Sequence, residues 1–165
     1  MFHAFDNSGP NRPLLRPDWM ALLARAPREL LEDAVATHLG AAVHWLRRPE
    51  TGLMMVQGRV GGTAERFNLG EITVTRCALR LADAQAGVSW VLGRDARRCT
   101  LAAVADALLQ DPAHADGLDF SLLEPVRHHL RRVAAERSAR AQSTRVDFFT
   151  MARESDGGAD SEEDE

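Results

Sequence analysis

Apolar positions recur along the chain with two different periods, and the changes of period divide it into three parts. From residue 17 to 40 the spacing is helical. Trp19, Leu22 and Leu23 share one face, and after Pro27 so do Leu30, Leu31, Ala34, Val35 and His38. Pro17 and Asp18 suit a first helical turn, and Gly40 suits a stop. These signals predict an N-terminal helical hairpin. The middle of the chain then falls into short β-branched or aromatic segments separated by glycine-containing turns: AAVHWLRR, TGLMMVQGRV, AERFNLGE, ITVTRCALRLA and GVSWVLG. With DAQAG as a hairpin loop, they predict an antiparallel sheet of about four to five strands. In the fourth segment Ile72, Val74, Arg76, Ala78 and Arg80 alternate with Thr73, Thr75, Cys77, Leu79 and Leu81. The more apolar phase is expected to face helices.

The helical period returns after Gly93. Leu101, Val104, Ala105, Leu108 and Leu109 form a stripe that Asp111-Pro112 ends. A loop is expected at Asp116-Gly117. Ser121 and Glu124 have capping-box spacing, and Pro125 marks the start of a last helix with Val126, Leu130, Val133 and Ala134 inward. The fold class that follows is α+β, with the sheet flanked by the N-terminal hairpin and two C-terminal helices. Residues 1–16 read as an irregular leader, 17–153 as one domain, and 154–165 as a disordered acidic tail.

Charge sharpens that division. Seven of the 24 acids lie between Glu154 and Glu165, so the rest of the chain sets 20 basic residues against 17 acids. Every basic residue is arginine, and there is no tyrosine. A Schiff-base lysine, a Walker lysine and a tyrosine acid are therefore excluded on this chain. No apolar run approaches the roughly 20 residues of a membrane helix, and the N-terminus lacks the pattern of a secretory signal, so a cytoplasmic protein is expected. The two cysteines, Cys77 and Cys99, give neither a disulfide framework nor a zinc pattern and read as reduced. Cys77 reads as a small buried strand residue. Cys99, near a helix start, is the more reactive candidate.

Candidate chemistry is sparse. Gly61-Gly62-Thr63, flanked by Arg59 and Arg66, offers amides and cations to a phosphate, but a tight strand connection needs the same glycines. Gly93-Arg94-Asp95 joins a strand to a helix, where Arg94 could meet an anion and Asp95 could cap. Arg76, in mid-strand, suits a partner or an internal acid. His128 and His129 are adjacent rather than four apart, so they are not a helical metal pair, and no metal site is expected. His38 and His44 read as packing or surface residues. Trp45 and Trp90 read as core, with base stacking the lesser alternative. No catalytic residue can be named.

Taken in order, ETGL (Glu50–Leu53), GRVGGTAERFNLGE (Gly58–Glu71), VTR (Val74–Arg76), SWVLGRD (Ser89–Asp95), DALLQ (Asp106–Gln110) and RVDFFTMAR (Arg145–Arg153) closely resemble the PhnG family, a subunit of the bacterial carbon–phosphorus lyase system. Ala64 and Asn68-Leu69 are small variations on the pattern. The resemblance implies a non-autonomous subunit of a cytoplasmic enzyme for phosphonate use, in which a phosphonate displaces adenine from the ribose of ATP. It implies PhnH-, PhnI- and PhnJ-like partners, with PhnK- and PhnL-like ATPase proteins associating. An iron–sulfur cluster and S-adenosylmethionine would belong to the PhnJ-like subunit, with no cofactor on this chain. It also makes RVDFFTM part of the family's pattern. Arg145, Val146, Phe148, Phe149 and Met151 are then expected to dock on a neighbouring subunit or on this chain's own sheet. The alternatives are a nucleic-acid-binding module built on the mildly basic body, and an independent small enzyme, which lacks an active-site signature.

Overall fold

The computed structural model describes residues 14–40, 43–63, 65–82 and 85–144. Helix α1 (Arg16–Leu23) has Pro17 in its first turn, and the Asp18 carboxylate accepts the Leu15 N–H at 3.1 Å, meeting one of the donors a helix start leaves unpaired. Helix α2 (Arg28–Val35) follows Pro27 and runs into a 3₁₀ turn, Ala36–Gly40. The expected helical hairpin is thus present, with Leu23, Ala26, Leu31 and Val35 buried beneath it.

The sheet is antiparallel, as predicted, but among the described residues it has three strands rather than four or five. β1 (Val43–Arg59), β2 (Arg66–Leu81) and β3 (Ala86–Leu92) lie in the order β1-β2-β3. The first two predicted segments fuse into β1 and the next two into β2. Pro49 sits in edge strand β1, where a missing N–H is tolerated, and the register absorbs it through irregularities between Trp45 and Glu50. A further shift between Val56 and Gln57 accommodates the break at Gly70. Pro49 and Gly70 lie at these irregularities, and the neighbouring strand continues to pair across both, so the expected segments join.

Helix α3 (Ala96–Leu109) is the centre of the molecule. It packs on β2 and β3 with one side and meets α1, α2 and α4 (Pro112–Leu118) with the rest. Cys99 to Leu109 are all buried, so the stripe expected on one face extends around the helix. Ala102, Ala103, Ala105 and Ala107 make this possible, since small side chains let neighbours approach from several directions. At Gly87 an added Cβ would lie 2.0 Å from the Ala103 carbonyl oxygen and 2.9 Å from Ala107. The strand and helix touch there through backbone.

Asp111 ends α3 as expected and caps α4, accepting the Ala113 N–H at 2.9 Å. The loop predicted at Asp116-Gly117 is helical. α4 passes through a π-type turn, Asp119–Leu123, into α5 (Glu124–Ser143), so Ser121 lies inside this turn and caps nothing. Burial of Leu118, Leu122 and Leu123 outweighs the local turn signal, and Arg127 clamps the turn by pairing with Asp119 at 2.9 Å and Glu124 at 2.7 Å. The inner face of α5 is shorter than predicted. Val126 is buried and Leu130 packs on the core, but Ala134 is exposed because α5 has passed the body by then.

Candidate partner-docking face

Three of the motifs, ETGL, VTR and SWVLGRD, meet where β1, β2 and β3 run side by side. Register places Glu50, Arg76 and Trp90 in one cross-strand row and Thr51, Thr75 and Val91 in the next. The second row points into the body. Thr75 Oγ1 donates to the Gly93 carbonyl at 2.7 Å, accepts from the Asp95 N–H at 3.3 Å, and lies 3.1 Å from Thr51 Oγ1. Asp95 then caps α3, accepting the Arg98 N–H at 2.8 Å. Gly93, at φ 84°, takes a left-handed turn that disfavours other residues. The threonines therefore fix the Gly93-Arg94-Asp95 corner, and the capping reading of Asp95 is what the geometry shows.

The first row faces away from the helices. Arg47 and Arg76 both donate to Glu50 Oε1, at 2.6 and 2.8 Å. These two hydrogen bonds hold the Glu50 carboxyl below the usual carboxylate range. Arg76 thus meets an internal acid on an open surface. Beside it Trp90 is 45% exposed, which corrects its reading as core; Trp45 is half-buried against the core. Helices cover one face of the sheet, and Trp90 stands on the other.

Arg59, Gly61, Gly62, Thr63 and Arg66 form the far end of the β1–β2 pair. Arg59 and Arg66 are opposite each other and exposed, joined by the turn Val60–Gly62. Gly61 is left-handed at φ 61°, with open space where a Cβ would be, so the turn needs glycine for its backbone and not for close approach. Arg94 is not near this tip. Gly93 hydrogen-bonds Thr73, seven residues along β2 from Arg66, or roughly 20 Å at a strand's rise per residue. The tip arginines and Arg94 are separate features.

Two structural groups escaped the sequence reading. Asp106, fully buried, accepts from Arg16 Nη2 at 2.7 Å, Arg16 Nε at 3.2 Å, Trp19 Nε1 at 2.9 Å and the Val88 N–H at 2.9 Å. Gln110 and Arg16 both donate to the Ala86 carbonyl. The polar residues of DALLQ therefore fasten α1 and β3 to α3. An acid inside an apolar stripe was the available signal, since such a group must be paired. The cysteines also meet. Cys77 Sγ lies 3.5 Å from Cys99 Sγ, and Ser89 Oγ donates to the Cys99 carbonyl at 2.6 Å. Both thiols are buried, and the hydrogen bond to Cys99 together with burial raises the Cys77 thiol far above its ordinary range. The hydrogen bond with Cys77 lowers the Cys99 thiol from its ordinary value against the opposing effect of burial, and the sulfur itself is closed off from the surface. His38 meets His114 edge to face at 5.8 Å. Among the described residues no cluster of His, Cys, Asp and Glu is arranged to hold a metal ion, and no helix is long and apolar enough to cross a membrane.

The family profile described as "Phosphonate metabolism protein PhnG" matches residues 15–154. The chain belongs to the PhnG family. The alpha-D-ribose 1-methylphosphonate 5-triphosphate synthase subunit PhnG of Rhizobium meliloti (strain 1021) is 42% identical over 144 residues, covering 86% of this chain and 90% of that protein. The PhnG match takes in all the helices and strands described above. It also reaches through RVDFFTM, whose residues Arg145, Val146, Phe148, Phe149 and Met151 lie outside the described residues.

Proposed function

We propose that this chain is a subunit of a ribose 1-methylphosphonate 5-triphosphate synthase in the cytoplasm and that its part there is mainly architectural. The observation that carries this reading is the 42% identity to a synthase subunit across 90% of that relative's length. In the reaction proposed for the complex, the bond from ribose C1′ of ATP to adenine breaks, with its electrons and a proton going to the departing base. A phosphonate oxygen forms the new bond to C1′, giving ribose 1-alkylphosphonate 5-triphosphate. Such a step needs charge stabilisation at the ribose, a proton for the base, and cations for the triphosphate. The fully buried carboxylate, Asp106, is already committed to Arg16, Trp19 and Val88, and Glu50 is committed to two arginines. That leaves this chain supplying support and arginines. Arg59 and Arg66, with the Gly61-Gly62-Thr63 turn, and separately Arg94, are the groups by which it would reach a triphosphate.

The partners of this reading are PhnH-, PhnI- and PhnJ-like chains, with PhnK- and PhnL-like ATPase proteins joining them. An iron–sulfur cluster and S-adenosylmethionine serve the later carbon–phosphorus cleavage on the PhnJ-like subunit. Deleting the chain should abolish growth on methylphosphonate as phosphorus source, and the tagged chain should co-purify with those partners. Normal growth without it would overturn the proposal. Arg66→Ala and Arg94→Ala, assayed in the assembled complex, test the triphosphate contacts: unchanged turnover with intact assembly removes both.

A further inference from the structure

The β1–β2 pair outruns the body. β3 stops opposite Val74, and beyond it Leu53–Arg59 and Arg66–Thr73 continue as an arm that, among the described residues, has two strands. A ribbon lying free in water is expected to be polar, and a ribbon lying on its own body has one apolar face. This arm carries exposed apolar side chains on both faces, although on the Leu53 side they stand beside Gln57, Arg59, Arg66, Asn68 and Glu71. Leu53 and Met55 point to the side that faces α3 further back, at 65% and 50% exposed. Met54, Phe67 and Leu69 occupy the opposite side. A Cβ at Gly58 would touch the Phe67 ring at 3.7 Å and Leu69 at 3.9 Å, which puts those two together, and Leu69 is 68% exposed. A lone two-stranded ribbon is marginal in water, and its unpaired edges invite association.

We infer that this arm inserts into an apolar cleft of a different subunit of the synthase complex, which closes on both of its faces. The inference rests on the function proposed above. Charge selects a protein as the partner: between Leu53 and Thr73 the charged residues are Arg59, Glu65, Arg66 and Glu71, two of each sign, which leaves no net field for a phosphate backbone or an anionic lipid surface. Area selects enclosure. At strand spacings one face of the arm is roughly 23 Å by 10 Å, about a quarter of the 800 Å² or so that each side of a stable interface buries. Covering both faces and the edges brings the arm near that value; docking flat does not. Among the described residues the cleft beside Trp90, lined by Met20, Leu23 and Val88, measures about 210 Å³ and is too small for a two-stranded arm, which makes a second copy of this chain the poorer host.

The test uses the full-length chain and the complex of the other synthase subunits, purified from a strain lacking this chain. Leu53→Glu and Leu69→Glu place a charge on one face each. Each alone is expected to weaken binding by at least about tenfold, because each charge would enter an apolar wall. The isolated variants should keep the wild-type circular dichroism and thermal midpoint. If either fails to fold, Leu53→Ser and Leu69→Ser replace them. Loss with one face only overturns the enclosure in favour of flat docking, and no loss with either overturns the arm as an interface. A wild-type chain that forms a dimer through the arm, seen by light scattering, overturns the heteromeric assignment. A wild-type chain that does not bind the complex at all overturns the parent function as well, whereas wild-type binding with unaffected variants overturns the arm alone.

Discussion

The same two strands behave differently at their two ends. Toward the body, β2 alternates from Thr75 onward: Thr75, Cys77, Leu79 and Leu81 are buried under α3, while Arg76 and Arg80 face out. Toward the tip the apolar phase is the other one, with Met54, Phe67 and Leu69, and Leu53 and Met55 also stand exposed on the opposite side, with no helix of the described residues over either face. Alternation is the mark of a surface this chain covers by itself. An apolar run that the fold leaves exposed on both sides describes a surface that something else covers. The body's stability and the arm's docking are therefore separable, and substitutions can pull them apart.

The widest separation is between two glycines. Gly87→Ala would push a methyl group into the Ala103 carbonyl, a backbone atom that moves only if α3 moves, and should cost about 4 kcal/mol or more. Gly58→Ala in the arm meets nothing closer than 3.7 Å and should change stability by less than about 1 kcal/mol. Urea denaturation of the two variants measures both. Equal losses would mean that arm and body unfold as one packed unit, and the division would fail.

Next in size is Asp106→Ala. Arg16 is partly solvated and keeps water when the carboxylate goes, but the Val88 N–H and the Trp19 Nε1–H lose their acceptor inside the body. A loss of about 3 kcal/mol is expected in the same denaturation experiment. Thr75→Val should cost less, about 1–2 kcal/mol, by removing the donor to the Gly93 carbonyl and the acceptor for the Asp95 N–H. Because that corner begins α3, the slowed hydrogen exchange of its first turn should be lost while the arm is unchanged.

How much of this was readable without coordinates depended on where each side chain finds its partner. The helical hairpin, the antiparallel pairing and the Asp95 cap were legible because their signals are local: proline and an acid at a helix start, alternation along β2, an acid three residues before the N–H it accepts. The strand count was not. Gly52 and Gly58 lie in one expected segment and Gly70 in another, and only a paired neighbour shows that these segments run on into those beside them as β1 and β2. The helical state of Asp116-Gly117 rests on burial of Leu118, Leu122 and Leu123, which is a tertiary fact. Trp90 misled for the opposite reason. It alternates as a core residue would, yet its phase is the uncovered one. Of the candidate site, the motifs were legible as a set, but the meeting of ETGL, VTR and SWVLGRD across three strands, and the distance of the Gly61 turn from Arg94, depend on a register that spacing alone does not fix.

The smallest predicted effect lies on the boundary between the two regions, at Glu50. Its carboxyl is held low by hydrogen bonds from Arg47 and then Arg76, so its folded-state pKa lies beneath the unfolded value of roughly 4.3. The sign follows. The folded state binds the proton more weakly, so the pairing contributes fully at pH values above the unfolded pKa and is lost as pH falls through the lowered one. Near neutrality Arg76→Gln should therefore barely shift the thermal midpoint of the isolated chain, since the pair is solvated. In an NMR titration, however, the Glu50 side-chain resonance should move to a higher midpoint in that variant than in wild type. An unmoved midpoint would mean that Arg76 leaves Glu50 in solution. Arg76 would then be an arginine on the open face without an internal acid, and the docking surface would extend from the arm into the Glu50–Arg76–Trp90 row.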